Sequence, residues 1–174
     1  LYRKAGGASG LLGELKAQYR LGRYQQALAV GNRLWARDPE RPEAQEGRYL
    51  TAFVLKDQGR HADAIRTWID LVDRAPEGSF ATQALWHAGW TAYQQGEHTQ
   101  ARAVFRRLAR EYPHSTLADQ AAYWEARTLE RLGDGEAARP IYRRLTRLPR
   151  WSYYTYRAAD RLRTLYGETV PSPA

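Results

Sequence analysis

The chain has no cysteine and no methionine in 174 residues. The first absence excludes disulfides and thiolate metal sites and leaves both exported and cytosolic settings open. The second extends to position 1, so a fragment or a processed form is expected. No apolar run approaches the roughly 18 to 20 residues that span a bilayer, and the N-terminus lacks a signal-peptide apolar segment, so a soluble chain without a transmembrane segment is expected. Lysine is scarce, and arginine carries nearly all of the basic charge. Residues 1–98 hold 13 Lys and Arg against 11 Asp and Glu, whereas residues 99–174 hold 14 against 8. That asymmetry suits an anionic partner of the C-terminal half, although a genomic bias towards arginine produces the same pattern.

What the chain has is a period. Gly22, Gly59, Gly96 and Gly133 recur every 37 residues; Ala27, Ala64, Ala101 and Ala138 follow five residues after each, and Leu34, Leu71, Leu108 and Leu145 twelve after. Prolines 39, 76, 113 and 149 close the units. The spacing predicts a helix, a tight glycine turn, a second helix whose alanine admits the first at close range, and a proline stop. Repeats are expected at about 8–41, 45–78, 82–115 and 116–149, with a capping helix over 151–166. Residues 1–7 are expected to be a linker or an engineering scar, and residues 167–174 a linker to a possible downstream domain. Ser79 is expected to cap the first helix of repeat 3, and Thr116 with Asp119 that of repeat 4. Pro140 predicts a kink in the last second helix.

This pattern resembles the tetratricopeptide repeat, and the fold class expected is all-α: a right-handed α-α superhelix of four helix pairs plus a C-terminal capping helix. Within residues 80–166, YWEARTLERLG and SYYTYRAADRL also resemble the non-catalytic helical region of soluble lytic murein transglycosylases. Tyr123, Trp124, Ala126, Arg127, Leu129, Leu132 and Gly133 carry the first match; Ser152, Tyr154, Ala158, Ala159, either Arg161 or Asp160, and Leu162 carry the second. The resemblance implies a periplasmic scaffold, associated with the outer membrane through missing parts, that supports a catalytic domain lying outside this sequence and helps to position peptidoglycan. FRRLAREYPHSTLADQAAYW is similar as well to periplasmic repeat proteins of outer-membrane assembly and cell division, which implies instead a stand-alone adaptor for an envelope protein or peptide.

Catalysis is not expected of the chain itself. The transglycosylase family uses a glutamate followed by serine, and no Glu-Ser pair occurs here; most glutamates fall at positions expected to face solvent. His61, His87, His98 and His114 lie in separate repeats without the close spacing of metal ligands, so no metal is expected and a structural role is. The isolated turn glycines form no phosphate-cradling loop, and no cofactor is expected.

If first helices line a concave groove, the repeat register points Leu12, Lys16, Tyr19 and Arg20, then Tyr49, Phe53 and Lys56, then Trp86, Trp90 and Tyr93, then Tyr123, Arg127 and Arg131 inward. Such side chains could stack on the sugars of a glycan strand or pair with carboxylates of a stem peptide; packed into the core, the same rings would only stabilise. Lys16 and Leu50 stand where a chaperone-tail carboxylate clamp requires asparagine. On second helices Arg102, Arg106 and Arg110, and likewise Arg139, Arg143 and Arg147, form ridges expected to be solvated, with no nucleic-acid partner.

Overall fold

The computed structural model describes residues 7–149 and 152–170, and all nine of its regular elements among those residues are helices. They are α1 (Ala8–Arg20), α2 (Tyr24–Arg37), α3 (Pro42–Asp57), α4 (His61–Arg74), α5 (Ala81–Gln94), α6 (His98–Glu111), α7 (Ala118–Arg131), α8 (Gly135–Thr146) and α9 (Tyr153–Tyr166). The pairing of first and second helices and the terminal helix agree with the expected all-α class. The outer parts of the two expected linkers, residues 1–6 and 171–174, lie outside the described residues, as does position 151, where the capping helix was expected to begin.

Each pair turns at its repeat glycine, where φ is 69°, 74°, 79° and 80° in chain order. The amide after the glycine reaches back five residues, as in Arg60 N–H to Leu55 O and Asp134 N–H to Leu129 O, both 2.9 Å. This is a left-handed C-terminal cap that satisfies otherwise orphaned carbonyls. A side chain there would meet no neighbour, so its cost is conformational, about 1 kcal/mol.

The chain divides into two units, residues 1–91 and 92–174. In the first, α2 packs between α1 and α3, α3 packs on α4, and α1 also touches α3. The core holds Leu15, Leu34, Ile65, Trp68 and Leu71, with Ala27 and Ala64 fully buried between helices. Nine residues after the turn glycine, Trp68 is fully buried, whereas the same place in the first repeat is Gly31. A Cβ on Gly31 would lie 2.1 Å from Thr51 Oγ1, so glycine is what lets α2 meet α3. In the second unit α7 packs on α6, α8 and α9, and α8 on α9; Phe105, Leu108, Leu129, Tyr142 and Leu162 are buried.

Local signals for helix starts succeed at the C-terminal end and fail before α7. Ser152 and Thr155 form a capping box on α9, and Asp134 Oδ1 accepts from Ala137 N–H at the start of α8. Thr116 and Asp119 do not cap α7: it starts at Ala118, and Ser115 Oγ accepts the Leu117 N–H within the preceding turn. Ser79 stands two residues before α5, outside its N-cap position. α8 runs continuously through Pro140, whose ring is exposed.

Candidate functional site

In the first unit the candidate residues form three groups. Lys16 is ion-paired with Glu46 at 2.5 Å, and the Tyr19 hydroxyl donates to Asp57 at 2.6 Å, so both tie α1 to α3. Burial and the Asp57 carboxylate push the Tyr19 phenol well above its ordinary range. Arg20, one residue on, is exposed. The second group is an aromatic box. Tyr49 and Phe53 on α3 meet edge to face at 5.1 Å, Phe80 lies 5.0 Å from Tyr49, and His87 on α5 sits 4.8 Å from Phe53 and stacks at 5.5 Å on Trp68. The third is the Trp86–Trp90 pair, parallel within 11° at 5.9 Å and half-buried.

Sequence reasoning missed His87 as a member of this box. Burial, with Lys56 adding repulsion, holds its imidazole below the ordinary histidine value. On acidification the unfolded chain therefore takes up this proton before the folded chain does, so stability falls as pH drops below about 6.5 towards the folded pKa. The group is faced by Tyr49, Phe53, Trp68 and Lys56, none of them an acid that would reverse the sign. Thermal melts across this range should show a downward slope that is shallower in His87→Phe; identical slopes would contradict the assignment.

In the second unit Tyr93 lies 5.1 Å from Trp124 and 5.3 Å from His98, and its hydroxyl accepts from Arg131 Nε at 3.3 Å. Tyr123, placed in the groove by register, is only 2% exposed and packs against Trp124, Tyr142 and Tyr154. Its ring belongs to the core. Its hydroxyl accepts from Arg127 at 3.3 Å and also from Arg157.

Arg127 leads to a residue that the sequence did not single out. Glu130 Oε1 accepts from the Tyr142 hydroxyl at 2.6 Å and from Arg161 Nε at 3.1 Å, while Oε2 accepts from Arg127 Nε at 3.1 Å and from the other arm of the Arg161 fork. One carboxylate thus joins α7, α8 and α9. Buried beside it, the Tyr142 phenol is raised far above its ordinary range by burial first and by Glu130 second. Most glutamates do face solvent, but Glu125 and Glu130 are shielded: Glu125 is 7% exposed and the Glu130 side chain 13%. Among the described residues no three His, Asp or Glu side chains gather as a metal site, and no helix is long and apolar enough to cross a membrane.

Paired helices turning on left-handed glycines, with aromatic and basic side chains carried by the first helix of each pair, define an α-helical repeat protein. Tetratricopeptide repeat profiles match residues 12–78 and 49–116, and a second type matches residues 120–144. The chain belongs to the tetratricopeptide repeat family. No sequence among the curated proteins matches it.

Among solved structures it is similar to a tetratricopeptide repeat protein from Parabacteroides merdae ATCC 43184, with 14% identity and a TM-score of 0.67 over 92% of this chain and 60% of that one. It is similar also to MamA (41-end) from Desulfovibrio magneticus RS-1, at 17% identity and a TM-score of 0.55, covering 79% and 73% of the two chains. Apo RapI aligns at 10% identity and a TM-score of 0.68, over 95% of this chain and 50% of its own. The chain thus spans 60% of the P. merdae protein and half of RapI. At these identities the likeness is one of fold.

Proposed function

We propose that this chain is a binding scaffold that holds a protein or peptide partner against the aromatic and basic residues of its first helices. The observation that carries this reading is the Trp86–Trp90 pair: two parallel indoles, one turn apart on a first helix, neither closed off from solvent. Rigid amphipathic rings of this kind are the commonest anchors of a bound peptide because they supply large contact area at small entropic cost. A solved relative in fold, a Rap protein complexed with Competence and Sporulation Factor, supports the same reading at 16% identity.

Trp90→Ala tests it. Binding of a partner peptide should weaken by about 1 kcal/mol or more, with the melting temperature little changed. A loss of roughly 3–5 kcal/mol of stability, with the folded fraction binding as before, would make Trp90 a core residue instead.

A second reading places the scaffold in the periplasm as the non-catalytic support of a lytic transglycosylase, in contact with that enzyme's catalytic domain and with a peptidoglycan glycan strand or stem peptide. Its support is the pair of segments YWEARTLERLG and SYYTYRAADRL. The residues that carry the match are, however, heavily used within the second unit: Tyr123, Arg127 and Leu129 pack or hydrogen-bond inside it. A lysozyme-like segment with a Glu-Ser pair downstream in the parent gene would support this reading. A stop codon directly after position 174 would leave the envelope adaptor.

A further inference from the structure

Away from the first-helix candidates, α6, α7 and α8 gather four guanidiniums around one carboxylate. Arg102, Arg106 and Arg110 follow one another at four-residue steps on α6 and so share a face, and Arg144 approaches from α8. Between them Glu125 of α7 is 7% exposed. Burial raises its carboxyl above the ordinary range, against the opposing pull of Arg106, Arg144, Arg102 and Arg110 in that order.

Other arginines on these helices are engaged: Arg107 pairs with Glu111 at 2.9 Å, and Arg139 and Arg143 share Glu168 at 2.5 and 2.7 Å. Arg102, Arg106, Arg110 and Arg144 make no side-chain ion pair or hydrogen bond among the described residues, and Arg102 Nε is buried without an acceptor. The four arginines and Glu125 therefore carry a net charge of +3. Arg106, Arg110 and Arg144 are exposed, and among the described residues Glu125 is the carboxylate that acts on all of them, so most of their charge is left unbalanced.

Arg144 has a second role in the surface. It also walls a cavity of 170 Å³ whose lining includes Ala109, Ala122, Leu145, Leu148 and one acid, Asp119. Ala122 is one turn before Glu125 on α7, so the apolar hollow and the arginine cluster adjoin. Asp119 offsets one charge beside the cavity, and the sum around Glu125 remains positive.

We propose that this α6–α7–α8 surface is a second docking site, for an acidic peptide segment that places carboxylates on Arg106, Arg110 and Arg144 and an adjacent aliphatic side chain in the cavity. Guanidinium forks suit carboxylates, and an apolar hollow beside them rewards burial of a branched side chain. A nucleic acid is less well served. Neither the arginines nor the cavity walls include an aromatic ring on which a base could stack, and a phosphodiester backbone has nothing apolar to bury in the hollow. The site stands independently of the first-helix reading because the two share no residue.

Fluorescence anisotropy tests it with a short labelled peptide of alternating glutamate and leucine, a glutamate and glycine peptide of the same length, and single-stranded DNA. The glutamate–leucine peptide should bind with an affinity that falls as salt rises. Arg106→Ala and Arg144→Ala, both at exposed positions, should each weaken it about tenfold, and replacing leucine by glycine should do the same. Trp90→Ala should leave this binding unchanged. Full affinity in both arginine variants, equal binding of the glycine peptide, or tighter binding of the DNA would each overturn the proposal. Loss of binding in Trp90→Ala alone would move the peptide to the first helices and overturn it as well, while leaving the function proposed above intact.

Discussion

Trp68→Ala should cost about 3–5 kcal/mol of unfolding free energy, the largest loss expected from one truncation in the first unit. Trp68 is fully buried and among the largest side chains of the core. It meets Phe53 edge to face at 5.1 Å and His87 in a stack at 5.5 Å, so truncation opens a cavity under α3 and α5 together. Burial of such a ring, about 150–250 Å² at roughly 25 cal/mol per Å², sets an upper bound of about 4–6 kcal/mol, because alanine keeps part of the area and the unfolded chain already buries some of it. The indole N–H is buried with no acceptor, so Trp68→Phe removes an unsatisfied donor with part of the ring and should cost much less than alanine. Urea unfolding read by circular dichroism separates the cases. A phenylalanine variant as unstable as the alanine one would show that the indole N–H is in fact satisfied.

Glu130→Ala should have an effect of similar size in the second unit, about 3–5 kcal/mol, because it strands charges rather than volume. Arg161 and Arg127 would lose their shared acceptor, and the buried Tyr142 hydroxyl its partner. Since Arg161 belongs to α9, the loss should fall first on the seating of that helix. Amide hydrogen exchange should then accelerate in residues 153–166 before it does in α6. Glu130→Gln keeps an acceptor for Tyr142 and should lie between the wild type and the alanine variant. Unchanged protection of α9 in Glu130→Ala would show that the ion pairs are screened by solvent and contribute little.

The fold was legible because its determinants are local and repeated. A left-handed turn admits glycine at little cost, a close helix crossing requires alanine, and both recur in the same register four times. Individual deviations were harder to read. Gly31 occupies the place of Trp68, Phe105 and Tyr142, and only its distance from Thr51 explains why an aromatic ring is absent there. Register identified the helices that carry candidate rings but not how far each ring sinks, so Tyr123 looked like a groove residue and proved to be core. Glu130 was hidden for a different reason. Its partners come from residues 12 and 31 positions later as well as one turn earlier, and no periodic pattern reports such a meeting. Glu125 and its arginines share that property: the α6 ridge was visible in sequence, whereas Arg144 and the intervening carboxylate come together only through packing.

The most direct measurement of a first-helix binding surface is photocrosslinking from two positions in the first unit. A benzophenone side chain replaces Trp90 on α5 in one protein and Arg66, an exposed residue of the second helix α4, in another. Each is irradiated with a peptide selected for binding to the wild-type protein, and adducts are mapped by mass spectrometry. A strong adduct from position 90 and none from position 66 is the expected result. Adducts from position 66 alone, with position 90 silent in a folded protein, would contradict a partner held by the first helices.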